Sequence, residues 1–208
     1  MLVAGAKGHA LELLDILIQM YKRDTIVLFD SINDHNDIET LNQFKIIKTE
    51  AEVEDVFKKD NQFVLGIGNS MTRKKLADYL TQKKGVLLTV ISPYSIISDL
   101  NVKLGNGINI MHSVIIQPEV SIGNGTLINA GAIIHHQSTI GQFCEICPRA
   151  TITGNVQIGD FTMIGAGAVI LPGIKIGSGV RVGAGAIVVK DINDNETVSG
   201  NPAKLSNK

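Results

Sequence analysis

The chain has 208 residues, 44% hydrophobic but only 4% aromatic, with 21 glycines and no Trp. Its formal net charge is −1, so no long-range pull on nucleic acid or on an anionic membrane is expected. No run of about 18 apolar residues offers a membrane span. The start, Met1-Leu-Val-Ala-Gly, lacks the basic leader of a secretory signal, and a cytoplasmic protein of one or two domains is expected.

The first 90 residues alternate strand and helix. Met1–Gly5 is a short apolar strand. Residues 8–22 read as a helix with Leu11, Leu14, Ile18 and Tyr21 on one face. Strands are expected at 25–29, 63–67 and 86–90, with a short edge strand at Ile46-Ile47. Helices are expected at 51–59 and 71–84. Strands separated by helices predict a parallel sheet with crossover helices, a small nucleotide-binding-like α/β domain over 1–90. Three turns follow presumed parallel strands: Gly5-Ala6-Lys7-Gly8-His9, Asp30-Ser31 and Gly66-Ile67-Gly68-Asn69. Glycines let backbone approach a ligand, a helix N-terminus attracts an anion, and open α/β sheets bind ligands at the carboxyl ends of their strands. The turn at 5–9 lacks the full GxGxxG fingerprint, so a plain tight βα turn stands beside the ligand reading. Residues 91–101 read as a joint broken by Pro93.

From 102 to 191 the chain keeps a six-residue period. Leu104, Ile110, Ile116 and their successors to Val182 and Val188 place fifteen aliphatics in frame without an insertion. Two positions earlier stand small or β-branched residues such as Val120, Thr126, Ala132, Ser138 and Cys144. A period of six fits neither a 3.6-residue helix nor a two-residue strand repeat; it is the mark of a hexapeptide β-helix. Three units make one triangular coil, so residues 18 apart stack, as Ile122, Ile140, Ile158 and Ile176 should. Gly in Asn106-Gly107 and Asn124-Gly125 suits turns that need positive φ. The tail, 192–208, leaves the frame and is expected to cap the last coil.

Five histidines occur. His35 reads as solvated and His112 as a surface turn residue. His135 and His136 interrupt an array of Gly and Ala, and His136, at a corner, is available as a general base near neutral pH; a surface His is the alternative. Cys144 and Cys147 form a CxxC pair, but Cys144 occupies the inward small-residue slot and Cys147 points out, so they are read as structural and reduced. No cluster has metal-ligand spacing, and no basic stripe points to nucleic acid.

The stretches AGAKGHA (4–10), FD (29–30), GIGNSMTRKK (66–75), LINAGAIIHH (127–136), TGNVQIG (153–159) and VSGNPAK (198–204) resemble bacterial sugar acetyltransferases of the left-handed parallel β-helix class. The resembling branch holds nucleotide-amino-sugar N-acetyltransferases and sialic acid O-acetyltransferase-like proteins. The resemblance covers nearly the whole chain. It implies a left-handed coil and a homotrimer with acetyl-CoA, as co-substrate, in the groove between neighbouring copies. It also implies a role in cell-surface polysaccharide biosynthesis. The family's base falls on His136, which would take the acceptor's proton as amine or hydroxyl attacks the thioester. The acidic residue that follows the base in the amino-sugar branch is here Gln137. A second family His, which touches acetyl-CoA, is here Glu145; the other acetyl-CoA positions fall on Gly154, Ala166 and Ala184. Sugar-nucleotide contacts fall on Lys7, Gly8, His9, Asp30, Ser31 and Gly68. Three functions are consistent with these residues: transfer to an amino group of a nucleotide sugar, transfer to a sugar hydroxyl, and a non-catalytic trimeric binding protein.

Overall fold

In the computed structural model, which describes residues 1–33 and 39–206, the chain divides into two units, Met1–Thr89 and Val90–Lys208. His35 lies outside the described residues. No described helix is long and apolar enough to cross a membrane.

The first unit contains β1 (Leu2–Ala4), α1 (Gly8–Met20), β2 (Val27–Phe29), β3 (Lys45–Ile47), α2 (Glu50–Phe57), β4 (Gln62–Leu65), α3 (Ser70–Gln82) and β5 (Val86–Leu87). The five strands pair in parallel in the order β3-β2-β1-β4-β5, so Ile46-Ile47 is an edge strand. Expected bounds shift where local chemistry intervenes. Thr49 caps α2 through a capping box with Glu52, so the helix starts at Glu50. Asn69 Oδ1 accepts the Thr72 N–H at 3.0 Å and starts α3 at Ser70. The buried stripe of α1 is Ala10, Leu13, Leu14, Ile16 and Leu17, whereas Leu11, Ile18 and Tyr21 lie at its margin. The helix is rotated because Ala10 packs on Gly66, where an added Cβ would lie 3.0 Å from the Ala10 Cβ. A helix this close to the sheet must present its small residue.

The second unit is a left-handed parallel β-helix with three faces. The first face includes Val90–Ile91, Asn109–Ile110, Leu127–Ile128, Glu145–Ile146, Met163–Ile164 and Arg181–Val182. The second includes Ile96–Ile97, Ile115–Ile116, Ile133–Ile134, Thr151–Ile152, Val169–Ile170 and Ile187–Val188. The third includes Lys103–Leu104, Ser121–Ile122, Thr139–Ile140, Gln157–Ile158 and Lys175–Ile176. The register matches an 18-residue coil: Ile122 pairs with Ile140, Ile140 with Ile158 and Ile158 with Ile176. The aliphatics from Ile110 to Val188 are buried, and Leu104 packs partly buried against them. Polar residues enter the small slot because turn carbonyls receive their hydroxyls. Thr126, Ser138 and Thr162 donate to Gly141, Thr153 and Gly177 oxygens at 2.8, 2.8 and 2.7 Å, which removes the cost of burying an unmet donor.

The coil is longer than its sequence frame. Val90–Ile91 and Ile96–Ile97 already pair with Asn109–Ile110 and Ile115–Ile116, so residues 91–101, read as a joint, are the coil's first turn. At the other end Val182 pairs with Val198 and Ile176 bridges Ile192. Those spacings are 16 residues, so the ladder continues where the hexapeptide frame stops. Lys204–Leu205 then folds back antiparallel on Thr197–Ser199.

Candidate active site

Strand order in the first unit reverses between β1 and β4, and a crevice at such a switch point is where a doubly wound sheet binds its ligand. The loops flanking it are 5–9 and 66–69. Gly5 takes φ +118°, and a Cβ there would lie 2.7 Å from the Gly66 oxygen. Gly5 therefore serves loop-to-loop packing, while Gly8 has open space over it. Exposed Lys7 is the N-cap of α1, which has neither a side-chain cap nor an acidic residue in its first turn. The helix N-terminus thus keeps its positive end for an anion. His9 Nδ1 is 3.6 Å from Glu12 Oε2, and the neighbouring imidazole holds the Glu12 carboxyl below its ordinary value against the opposing effect of burial.

Asp30 is only 8% exposed. Its Oδ1 accepts the Ile32 and Asn33 backbone N–H groups at 3.0 Å each, and both carboxylate oxygens accept from the Asn33 amide. The carboxylate builds the turn that presents exposed Ser31. Sequence reasoning passed over Arg73, which is 1% exposed. Its guanidinium donates to the Ile67 oxygen at 3.3 Å and to the Gly68 oxygen, fixing the 66–69 loop from behind. A lone Arg inside a charged helix gives no sign in sequence that it points inward.

In the coil, His136 stands at the corner between the second and third faces. Asn155 N–H donates to its backbone oxygen at 3.0 Å, Gly173 N–H to that of Gly154, and Gln137 N–H to that of Pro118. Pro118, His136 and Gly154 thus form one vertical column. The imidazole lies over Gly154: a Cβ there would be 2.5 Å from His136 Cε1 and 2.6 Å from Nε2. Gln137 follows at φ 58° and is exposed. Ala166 and Ala184 share a different column, at the corner between the first and second faces, linked by the Gly185 N–H to the Ala166 oxygen at 2.8 Å. Glu145 points outward from the first face, paired with Leu127 and Met163. In a triangular coil that face is opposite the His136 corner. The chain therefore brings His136, Gln137 and Gly154 together, and separately Glu145, Ala166 and Ala184, but does not join the two groups.

His136, Gln137, Gly154, Ala166 and Ala184 sit on corners of the coil, and Glu145 on its first face. A cleft of about 840 Å³ on the third face, beside Gln157, Lys175, Asp191 and Asp194, contains none of them. Cys144 is buried, donating to the Gly159 oxygen at 3.1 Å. The Cys147 thiol is pushed up to about 12 by burial and then by the Glu145 carboxylate, the opposite of a reactive thiol. Among the described residues no group of three His, Cys, Asp or Glu could hold a metal ion.

Residues 1–80 match the family described as the PglD N-terminal domain, and residues 119–154 and 155–190 each match the bacterial transferase hexapeptide (six repeats) family. No curated protein matches. Among solved structures, the acetyltransferase domain of PglB from Neisseria gonorrhoeae in complex with acetyl coenzyme A is similar at 28% identity. It covers 99% of this chain and 98% of that one, with a TM-score of 0.89. PerB from Caulobacter crescentus, in complex with CoA and GDP-perosamine, is 27% identical over 99% of this chain and 96% of its own, at a TM-score of 0.89. WeeI from Acinetobacter baumannii is 26% identical over 99% and 98%, at 0.81. The fold and these matches define a hexapeptide-repeat acyltransferase. Within that class, the chain resembles sugar acetyltransferases, and its residues 1–80 match the PglD N-terminal domain.

Proposed function

We propose that the protein transfers the acetyl group of acetyl-CoA to an amino group of a nucleotide-linked sugar, with His136 as general base and a homotrimer as the working unit. The observation that carries this reading is the His136 imidazole seated on Gly154 at an exposed corner, clear of the inward aliphatic column. Structures similar over nearly the whole chain hold acetyl-CoA, or CoA with GDP-perosamine, and supply the substrate classes. His136 takes the amine's proton as nitrogen attacks the thioester carbon. The C–S bond breaks, CoA leaves as its thiol with the proton returned, and no acyl-enzyme forms. Gln137 orients the base without charge. The α/β unit takes the nucleotide: the α1 N-terminus at Lys7, Gly8 and His9 meets phosphate, and Ser31 and Gly68 border the base and ribose, with Asp30 shaping the turn beneath. The reading carries with it a cytoplasmic location and a place in cell-surface glycan assembly.

The trimer is supported by which face is apolar. The outward ladder of the second face is Ile96, Ile115, Ile133, Thr151, Val169 and Ile187, while the third face presents Lys103, Ser121, Thr139, Gln157 and Lys175. The second face is bounded by the Ala166–Ala184 corner on one side and the His136–Gly154 corner on the other. Three such faces closed about one axis set the His136 corner of each copy against the alanine corner and Glu145 of the next. That unites the two groups of site residues, and Gly and Ala leave room there for the pantetheine arm.

The test is release of free CoA thiol from acetyl-CoA with UDP-, dTDP-, CMP- and GDP-linked amino and hydroxy sugars, wild type beside His136→Ala. Turnover with an amino sugar that falls by about 10²–10⁴ in the variant, with the trimer retained, is the expected result. Turnover only with a hydroxyl acceptor moves the protein to O-acetylation. Neither turnover nor acetyl-CoA binding would make it a non-catalytic trimer.

A further inference from the structure

The corner between the first and second faces carries a cluster that the reaction above leaves unused. Ser92 is 1% exposed, and its Oγ stands 2.5 Å from His112 Nδ1. The same Oγ accepts the Tyr94 N–H at 3.0 Å. The Tyr94 ring packs on the imidazole, with centroids 5.3 Å apart and a 59° tilt. The hydroxyl and the imidazole are hydrogen-bonded to one another, which ties the ring to the coil backbone of the first turn. Tyr94 is 64% exposed, an aromatic face held in place by the imidazole behind it.

Backbone bonds put this pair in the same column as the alanines. Ser113 N–H donates to the Tyr94 oxygen at 3.1 Å, Gly131 to His112 at 2.9 Å, Arg149 to Ala130 at 3.0 Å, Gly167 to Pro148 at 2.9 Å and Gly185 to Ala166 at 2.8 Å. The column therefore climbs from Tyr94 through His112, Ala130, Pro148 and Ala166 to Ala184. Each coil rises by one strand spacing, about 4.8 Å. His136 follows Ala130 and precedes Pro148 along the chain, so its height falls between theirs. In a ring of copies standing at one height, acetyl-CoA along Ala166 and Ala184 brings its thioester to the neighbour's His136 from above. The acceptor must then lie below, where His112 and Tyr94 stand.

We propose that Tyr94 and His112 of one copy form the platform for the acceptor sugar whose amine is deprotonated by His136 of the next copy. The Tyr94 ring packs against the C–H face of the pyranose, and His112, packed behind it, holds that ring in position. The platform deepens, and rests on, the trimeric acetyltransferase reading.

Two measurements test it. In the Tyr94→Ala/His112→Ala protein the KM for the nucleotide sugar rises about tenfold or more, as loss of an aromatic stacking platform requires. The KM for acetyl-CoA and the trimer stay as in wild type, and kcat changes little. An unchanged sugar KM, or an equal rise in both KM values, overturns the platform. Should Tyr94→Ala disturb assembly, His112→Ala and Ser92→Ala, each with Tyr94 intact, give the same KM split or refute it. The second measurement mixes the double variant with His136→Ala in equal amounts and reassembles them. Random closed trimers then contain enough intact sites for about a quarter of wild-type kcat/KM, because base and platform come from different copies. No recovery means that they act within one chain, and the proposal falls. A wild type that releases no CoA thiol with any nucleotide sugar refutes the acetyltransferase reading itself. An active wild type with unaltered variants refutes only the platform.

Discussion

Gly154 shows what a single absent methyl group does. A Cβ at that position would lie 2.5 Å from His136 Cε1, so Gly154→Ala must displace the imidazole while leaving the inward column untouched. With His136 as the proposed base, the expected outcome is a folded protein with unchanged circular dichroism and kcat/KM lower by about 10²-fold, since misplacing a catalytic group by 1 Å is that costly. At the same scale, Cys147 is predicted to be inert. With its thiol pushed up to about 12, alkylation by iodoacetamide at pH 8 is expected to be negligible in the native protein. Glu145→Gln removes the carboxylate that raises the thiol, so its alkylation onset moves to lower pH; an onset that does not move would refute the coupling. His136 was legible in sequence as a ring with no packing reason to sit on a Gly and Ala array. Ser92 was not legible, because nothing in Ile91-Ser92-Pro93 shows that a residue 20 positions later will stand 2.5 Å away.

At the scale of elements, the six-residue period placed every strand from Lys103–Leu104 to Ile187–Val188, because each unit buries one aliphatic and the next unit must bury its own. Ile152 is fully buried and pairs with Ile134 and Ile170. Ile152→Ala is predicted to cost about 2–5 kcal/mol, read as a lower urea midpoint. Ile158→Asp, placing a charge in the dry column of the third face, should prevent the coil from folding; a soluble, cooperative variant would contradict the assigned frame. The period failed where closure changed. The 16-residue spacings from Val182 to Val198 and from Ile176 to Ile192 carry no hexapeptide signal, yet the ladder runs through them. In the α/β unit, element type was legible from apolar runs, but bounds and the buried face of α1 depended on caps at Thr49 and Asn69 and on the Ala10–Gly66 contact.

At the scale of the whole molecule, the aliphatic ladder on the second face is, in the proposed trimer, the surface that packs against neighbouring copies. Val169→Asp, on that face and half-buried, is predicted to give a folded monomer by light scattering, with near-zero turnover because each site would lose the half supplied by its neighbour. A monomer that kept full activity would show that the two groups of site residues need not meet. The hexapeptide period, the alternation of strand and helix, and the corner position of His136 were all determined by the sequence alone, because they rest on contacts of regular spacing. That His136 shares a corner with Gly154, and Ala166 with Ala184, could also be counted in steps of 18. Only the tertiary structure decided that Asp30 holds its own turn, that Gly5 packs on the Gly66 loop, and that Ser92 stands against His112. Those are contacts between side chains and loops at irregular separations, where geometry in space, not periodicity along the chain, selects the partner.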